Sequence, residues 1–230
     1  MNVRLRPAAD ADLPAVGDLH YRSRASAYAG LVSPAALTFG SPAALGEWWA
    51  ERWKWERDTH RLTVAVTDGA GHSLTGTPRP GDRPSGALSD EPQPGGRAAD
   101  PSSHEPWPGG RAAGTSTHEP RLGGAPGERL VGFTYLGPGE DDGVAELSAI
   151  HADPAFVGTG VGRAMMLDAL PALARIAPRA VLWVLEGNAR ARRFYERGGW
   201  TADGVTRMDT LGNEPVRHLR YARAVSPTDS

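Results

Sequence analysis

The residue types best suited to chemistry form a glycine-rich loop in the C-terminal half of the chain. The loop alternates three glycines with other residues and ends in an arginine: Val157, Gly158, Thr159, Gly160, Val161, Gly162 and Arg163. Glycines in this pattern let successive backbone N–H groups turn toward one point, and the start of a helix adds roughly half a positive charge. The segment predicts a cradle for a phosphate or pyrophosphate group. A tight strand–helix connection that binds nothing fits the loop equally well.

Two common phosphate-binding motifs do not account for this loop. The dinucleotide fingerprint G-x-G-x-x-G would require its third glycine at Arg163 or Met165. A P-loop requires Gly-Lys followed by Ser or Thr, and the sequence has a single lysine, Lys54. The sequence also contains no cysteine, which excludes disulfides, zinc–thiolate sites and a cysteine nucleophile. We predict no metal cofactor.

The overall charge excludes another class of function. The 230 residues include 25 Lys plus Arg and 27 Asp plus Glu, for a formal charge of −2. Without a basic field, binding to nucleic acid through phosphate neutralisation is not expected. The first residues, MNVRLRPAADAD, lack an apolar signal core, and no later stretch is apolar enough to span a membrane. We therefore expect a cytoplasmic protein that has neither nucleic acid nor membrane as a partner.

A segment rich in proline and glycine interrupts the chain. Residues 77–127 contain 10 Pro and 10 Gly and few large apolar side chains. The segment repeats with a period of 14 residues, marked by three Glu-Pro pairs: Glu91-Pro92, Glu105-Pro106 and Glu119-Pro120. So little burial cannot offset the entropy of ordering, which predicts a disordered loop inserted into a single domain over residues 1–225, with a frayed tail over 226–230. A docking loop that uses Trp107 and a repeat expansion without a partner both remain open.

Outside this segment the sequence alternates between strand and helix patterns. Apolar alternation predicts seven strands: Val3–Arg6, Leu62–Thr67, Leu130–Leu136, Val144–Ala152, Ala180–Leu185, and two near Thr201–Met208 and Arg217–Ala224. Helical periodicity and capping residues predict four helices: Asp10 to about Tyr28, one starting at Ser41-Pro42, Gly162 to about Ile176, and Asn188–Arg197. This order predicts an α/β (α+β) fold in which the glycine loop joins a central strand to a helix.

Two stretches resemble the signatures of a known superfamily. The run Ala145–Pro154, together with the glycine loop, resembles motif A of the GNAT superfamily, the acetyl-CoA-dependent N-acetyltransferases. Leu182–Trp200 resembles their second signature, in which Asn, Ala, Phe-Tyr and a closing Gly-aromatic pair recur at this spacing. The opening VRLRPAADADLPAV and the ending PVRHLRYARA are also similar to that superfamily. The resemblance covers the chain apart from the insertion and the tail.

The resemblance implies a GNAT fold: a mixed central β-sheet flanked by helices, here with the long insertion between the second and third strands. It implies acetyl-CoA as co-substrate, with the pantetheine arm bonded to a strand edge formed by Ile150, His151 and Ala152. The pyrophosphate would lie on the amides of the glycine loop and on Arg163. Similar proteins usually have Arg or Gln where this sequence has Val157, so we expect weaker cofactor binding rather than none.

The resemblance also assigns roles to three side chains. Tyr195 lies seven residues after Asn188, so the two share one helix face; in similar enzymes this tyrosine protonates the departing CoA thiolate and the asparagine contacts the cofactor. Glu146 matches the general base of histone-type members. Packing of Tyr195 in the core, Asn188 as a helix cap and Glu146 as a strand-end carboxylate remain the alternatives. His151 is a second candidate base, but a regular strand would turn it away from Glu146, and we favour a neutral residue beside the cofactor.

The sequence gives the least information about the acceptor substrate. Without a cysteine to carry an acyl group, we expect direct transfer in a ternary complex of acetyl-CoA and an amine. In the superfamily the first two helices form one wall of the acceptor site, which here includes Tyr28 and Trp48, and aromatic walls suit a cationic amine. We expect a small-molecule primary amine as acceptor. A protein N-terminus or lysine is the alternative, and an acyl-CoA-binding regulatory or scaffolding protein is the non-enzymatic rival. Similar proteins often dimerise, so a homodimer is also open.

Overall fold

The predicted strands form one sheet in the structure, a computed structural model that describes residues 2–68 and 127–226. The strands are β1 (Val3–Pro7), β2 (Arg61–Asp68), β3 (Glu128–Pro138), β4 (Val144–Ala152), β5 (Arg179–Leu185), β6 (Thr201–Leu211) and β7 (Glu214–Ala224). Their order across the sheet is β1-β2-β3-β4-β5-β7-β6. Neighbouring strands are antiparallel except β4 and β5, which are parallel. The predicted mixed sheet is confirmed.

The described residues also contain five α-helices. They are α1 (Leu13–Ala27), α2 (Pro34–Leu37), α3 (Pro42–Glu56), α4 (Val161–Ile176) and α5 (Ala189–Arg197). Four correspond to predicted helices, and α1 is preceded by a short 3₁₀ turn over Asp10–Asp12. The sequence pattern did not predict α2, because a single turn is too short to show a helical period; Ser33 caps it by accepting a hydrogen bond from the Ala36 amide at 3.2 Å. None of these helices is long and apolar enough to cross a membrane.

Strands β2 and β3 form a hairpin around the proline- and glycine-rich segment. Asp68, the last residue of β2, is the register partner of Glu128, the first residue of β3. The Glu128 carboxylate accepts hydrogen bonds from Arg4 and Arg6 of β1, which fixes this end of the hairpin against the outer strand. The pairing confirms the predicted hairpin. The loop predicted over 77–127 lies, up to residue 126, outside the described residues.

Each face of the sheet is covered by its own pair of helices. On one face, α1 and α3 contribute the buried side chains Leu13, Val16, Leu19 and Trp49, which pack on β2 and β3. On the other face, α4 and α5 contribute Met166, Leu170, Leu173 and Tyr195, which pack on β4 and β5. Helices α1 and α3 approach so closely that a Cβ added to Gly17 would lie 2.3 Å from the backbone nitrogen of Gly46. That contact therefore requires glycine at position 17.

Strand β4 has one residue more than the facing segment of β3. Tyr135 pairs with Ala149, but the next residue of β3 pairs with Leu147. Ser148 is thus the extra residue of a β-bulge, and it is exposed. A bulge shifts the in–out alternation of side chains by one position, so residues on either side of it no longer follow a regular strand.

The bulge corrects one prediction about the candidate base. Leu147 packs with α4, whereas His151, four residues later, contacts Ser23 of α1 on the opposite face. In a regular strand these two side chains would share a face. Glu146 therefore faces the same side as His151, and the prediction that the two residues face opposite ways is wrong.

Candidate active site

Strands β4 and β5 separate partway along their length. Their pairing covers Val144–Glu146 on β4 and Arg179–Val181 on β5. Beyond it, β4 remains paired with β3 on one side but has no strand partner on the β5 side within the described residues. The open edge consists of Ile150, His151 and Ala152. A ligand lying in this gap could bond these backbone groups as an added strand would.

The glycine loop leads from this gap into the N-terminus of α4. Gly158 and Gly160 have φ angles of +86° and +97°, and a Cβ at either position would meet no atom within 4 Å. These glycines are therefore required by the backbone turn and not by close packing. In the described part of the chain, five successive or nearly successive amides have no backbone acceptor: Gly158, Gly160, Val161, Gly162 and Arg163. Free amides at a helix N-terminus are suited to an anion.

A buried carboxylate fixes the start of this loop. Asp153 is 2% exposed, accepts a hydrogen bond from the Ala155 amide at 2.9 Å, and pairs with Arg22 of α1 and Arg129 of β3, each at 3.1 Å. Burial alone would raise the pKa of Asp153, but the amide hydrogen bond and the two guanidinium groups outweigh it and lower the pKa below its ordinary value. Asp153 thus joins the glycine loop to both α1 and β3.

Replacing Asp153 by asparagine is expected to lower the free energy of unfolding by about 1–3 kcal/mol near neutral pH, since a neutral amide cannot replace a charged partner of two arginines. The folded-state pKa lies below the ordinary 3.8, so this stabilisation is present above that value and is lost as the pH falls through the folded-state pKa. Urea unfolding at neutral and acidic pH measures it, with exposed Asp58→Asn as the control. A difference between wild type and D153N that does not shrink in acid would contradict the assignment.

Helix α5 follows β5 and carries the candidate residue Tyr195, with Asn188 at its N-terminus. Asn188 precedes the helix, and its side-chain oxygen accepts a hydrogen bond from the Ala191 amide at 3.1 Å, so the capping role is confirmed. Tyr195 is 8% exposed and packs against Phe194 and Tyr221, with ring centroids 5.4 and 6.3 Å away. Burial raises the pKa of Tyr195, and Tyr28 adds to the shift. Within the described residues its hydroxyl has no hydrogen-bond partner, so a protonated donor is available to a ligand.

Glu146 lies at the point where the two strands part. It is 5% exposed and is the register partner of Val181 in the last pair before the gap. Trp183 follows Val181 two residues later on β5 and was not among the predicted site residues. An apolar strand that is buried on both faces gives no sequence signal for the side that faces a cavity. The gap thus has a buried carboxylate at its closed end and leads to the free amides of the glycine loop.

Comparison with known proteins identifies the kind of domain to which these residues belong. The profile of the acetyltransferase (GNAT) family matches residues 90–200. Just under half of the chain therefore matches a GNAT acetyltransferase domain. A mycothiol acetyltransferase of Propionibacterium freudenreichii is 31% identical over 103 residues, which cover 44% of this chain and 33% of that protein. An uncharacterized N-acetyltransferase of Mycobacterium bovis is 40% identical over 85 residues, which cover 36% of this chain and 53% of the relative. The chain therefore matches about a third to a half of the length of these curated relatives.

Solved GNAT structures superpose on nearly the whole chain. The PaiA N-acetyltransferase from Thermoplasma acidophilum, in complex with coenzyme A, has a TM-score of 0.57 at 13% identity and covers 97% of this chain and 99% of its own. The spermidine N-acetyltransferase from Vibrio cholerae, in complex with CoA and spermine, has a TM-score of 0.53 at 15% identity, covering 97% and 95%. At this level of identity the similarity establishes the GNAT fold.

His151 of this GNAT domain has its ring on the α1 side of β4. Its Nδ1 lies 2.8 Å from the Ser23 hydroxyl, its ring stacks on Phe133 at 5.1 Å, and the ring of His20 lies 4.4 Å away. Burial, with the charge of Arg24, lowers the pKa of His151 to about 4. The imidazole is therefore neutral at physiological pH, which agrees with the role of a neutral residue beside the cofactor.

The two aromatic residues predicted for the acceptor wall lie in different surroundings. Tyr28 ends α1 and is near enough to Tyr195 for its charge to raise the pKa of that residue. Trp48 of α3 packs edge-on against Trp49 at 5.0 Å and beneath the Arg52 guanidinium at 5.3 Å, beside the core between α3 and β3. Tyr28 is thus close enough to Tyr195 to affect its pKa, whereas Trp48 packs with the helix core.

Proposed function

We propose that this GNAT protein transfers the acetyl group of acetyl-CoA to a primary amine by direct transfer in a ternary complex. The observation that carries the proposal is the gap between β4 and β5, with the buried Glu146 at its closed end and the free amides of the glycine loop after β4. Acetyl-CoA fits these residues. The loop amides and the exposed Arg163 suit its pyrophosphate, and the open edge at Ile150–Ala152 suits the amides of its pantetheine arm.

The mechanism assigns one proton to each catalytic side chain. Acetyl-CoA supplies an acyl group activated as a thioester. Glu146 accepts the proton that the bound ammonium group must lose before its nitrogen can form the new C–N bond, directly or through one water. Tyr195 donates a proton to the CoA sulfur as the C–S bond breaks. A backbone N–H at the open edge, near Ile150 or Ala152, stabilises the negative charge that develops on the carbonyl oxygen.

We propose a small-molecule amine as the acceptor. A shallow cavity of about 180 Å³ lies between the loop after α1, the end of β5 and the start of β7, with Leu31, Leu185 and Val216 in its lining. Glu146 and Tyr195 do not line it, so it would hold the far end of an acceptor whose amine lies at the gap, and its small volume favours a small molecule over an extended peptide. GNAT neighbours with this fold include both a spermidine N-acetyltransferase and a ribosomal-protein-S18-alanine N-acetyltransferase, so a protein N-terminus or lysine remains the second candidate.

Titration calorimetry with acetyl-CoA, followed by measurement of thiol release with a panel of amines, tests the proposal. We expect saturable binding and release with at least one amine class. Short peptides in the same panel distinguish a protein acceptor from a small one. Binding without release for every amine would favour the regulatory or scaffolding protein, and absence of acyl-CoA binding would overturn the proposal. A cytoplasmic location and a homodimer remain predictions.

A further inference from the structure

Arg207 of β6 is an incompletely paired arginine beside the candidate acceptor site. Its side chain is 25% exposed, and its guanidinium carbon lies 4.2 Å from the ring centroid of Trp183. Its Nε is buried and has no hydrogen-bond partner among the described residues. The carboxylate of Asp209 lies 4.0 Å away, at the outer limit of an ion pair. Because Nε is out of reach of solvent, the terminal nitrogens of this partly exposed side chain are the donors that an incoming anion can contact.

A second arginine on the same tryptophan provides a comparison. Arg220 of β7 lies 5.9 Å from the Trp183 ring centroid. Its Nε donates to Asp203 at 2.8 Å and its Nη1 donates to Asp141 at 3.0 Å, so two carboxylates neutralise it within the fold. Arg207 has no equivalent pair of close carboxylates in the described part of the chain. Stacking on an indole covers the face of a guanidinium and leaves its N–H edge open to an incoming oxygen.

Arg207 lies on the same side of the sheet as the proposed base. Glu146 and Val181 are partners in a parallel pair, so they project to one face, and Trp183 projects to that face as well. Arg207 stacks on Trp183 there, opposite the face covered by α4. An acceptor that enters from the α1 side therefore meets Glu146 and Arg207 in one opening.

The charges around Arg207 are mixed. Burial lowers the pKa of its guanidinium, and three carboxylates oppose that shift: Asp209, Glu146 and Glu140. The opening thus offers a partly desolvated cation next to carboxylates that attract an ammonium group. A molecule that carries both charges matches this arrangement better than a simple polyamine does.

We propose that the acceptor carries a carboxylate or phosphate in addition to its amine, and that Arg207 binds this anionic group while the amine lies at Glu146. This inference rests on the proposed function and names the substrate class of the same site. The planar fork of arginine can donate two parallel hydrogen bonds to either kind of anion. Arg207 is then a specificity-determining residue and takes no part in proton transfer.

The first test measures binding without turnover. Isothermal titration compares matched probes in the presence of CoA: ω-amino acids against alkylamines of the same length, and phosphoethanolamine against ethanolamine. We expect wild type to bind one anionic series about 10- to 100-fold more tightly than its neutral match. Arg207→Gln should abolish the preference, and Arg175→Gln, an exposed arginine on α4, should retain it. Arg207→Lys keeps the charge without the fork and should retain part of it.

The second test follows thiol release with the same probes and variants. The loss in Arg207→Gln should fall on the KM of the anionic acceptors, whereas Arg175→Gln should keep the wild-type kcat and KM for both series. Equal binding of anionic and neutral probes, or a preference that survives in Arg207→Gln, would overturn the inference even where thiol release confirms the acetyltransferase. Selective anion binding without thiol release from any amine would support Arg207 as an anion site while the proposed transfer falls. Selective release with phosphoethanolamine or with the ω-amino acids identifies the anion.

Discussion

Replacement of Tyr195 by phenylalanine is expected to lower kcat about 100- to 10,000-fold and to leave the Kd of acetyl-CoA nearly unchanged. The variant removes a single hydroxyl from a ring that stays packed against Phe194 and Tyr221. Burial raises the pKa of that hydroxyl, so it is protonated at neutral pH and is available to donate a hydrogen bond, and then its proton, to the sulfur as the C–S bond breaks. The ring contributes the packing, and the hydroxyl contributes the proton.

The matched control for this variant is Tyr221→Phe. The Tyr221 hydroxyl donates to Glu196 at 2.8 Å and accepts from Arg192 at 3.1 Å, so its role is structural. We expect that control to lose about 1 kcal/mol of stability and to keep its kcat within about twofold. Stopped-flow or steady-state thiol release, together with calorimetric titration of acetyl-CoA, separates turnover from affinity. An unchanged kcat in Y195F would remove Tyr195 as the acid.

Replacement of Glu146 by glutamine should lower kcat/KM for the amine about 100-fold near pH 7. Glutamine has nearly the same volume, so the packing around this 5% exposed side chain is retained while the proton acceptor is lost. The deficit should narrow as the pH rises, because more of the amine is then neutral without the help of a base. The rise in kcat/KM of the variant with pH should follow the pKa of the acceptor's ammonium group.

The comparison for this variant is Glu47→Gln, at an exposed position on α3. Its pH–rate profile should coincide with that of wild type. Thermal unfolding of both variants distinguishes loss of the base from loss of structure: if Glu146 were merely a strand-end carboxylate, E146Q would lose stability and keep its kcat/KM. A flat ratio of wild-type to variant rates across the pH range would likewise argue against the proton-transfer role.

The strands, the long helices and the glycine loop could be predicted because each is specified locally. Alternating apolar residues specify β2 and β3, Ser41-Pro42 specifies the start of α3, and glycines at 158 and 160 permit φ angles that other residues avoid. The bulge at Ser148 could not be predicted, because an ordinary serine in a strand carries no signal for an extra residue. The face of the sheet on which the His151 side chain lies depends on that bulge. The prediction that His151 faces away from Glu146 was therefore wrong.

Some residues of the candidate site could likewise be predicted from the sequence, and others could not. Glu146, Asn188 and Tyr195 lie within or beside recognisable motifs; Glu146 is in the last strand pair before the gap, and the other two belong to α5 and its cap. Trp183 and Arg207 meet because β6 lies at the sheet edge and β7 lies between it and β5. That lateral order brings together residues that no local pattern links. The prediction for Trp48 and Tyr28 shows another limit of the sequence. Helical spacing alone could not distinguish an aromatic side chain that packs with the core, such as Trp48, from one near Tyr195, such as Tyr28.

The hairpin of β2 and β3 has a consequence for how this gene can change. Asp68 and Glu128 are register partners, and Arg4 and Arg6 hold the second of them, so the sheet is complete at this end whatever connects the two strands. Gain or loss of one 14-residue unit alters the entropy of closing the connection by only about 0.2–0.3 kcal/mol. Copy number can therefore drift by replication slippage with little selection from folding. The same property makes this junction a site at which an engineer can insert a reporter domain or substitute a two-residue turn.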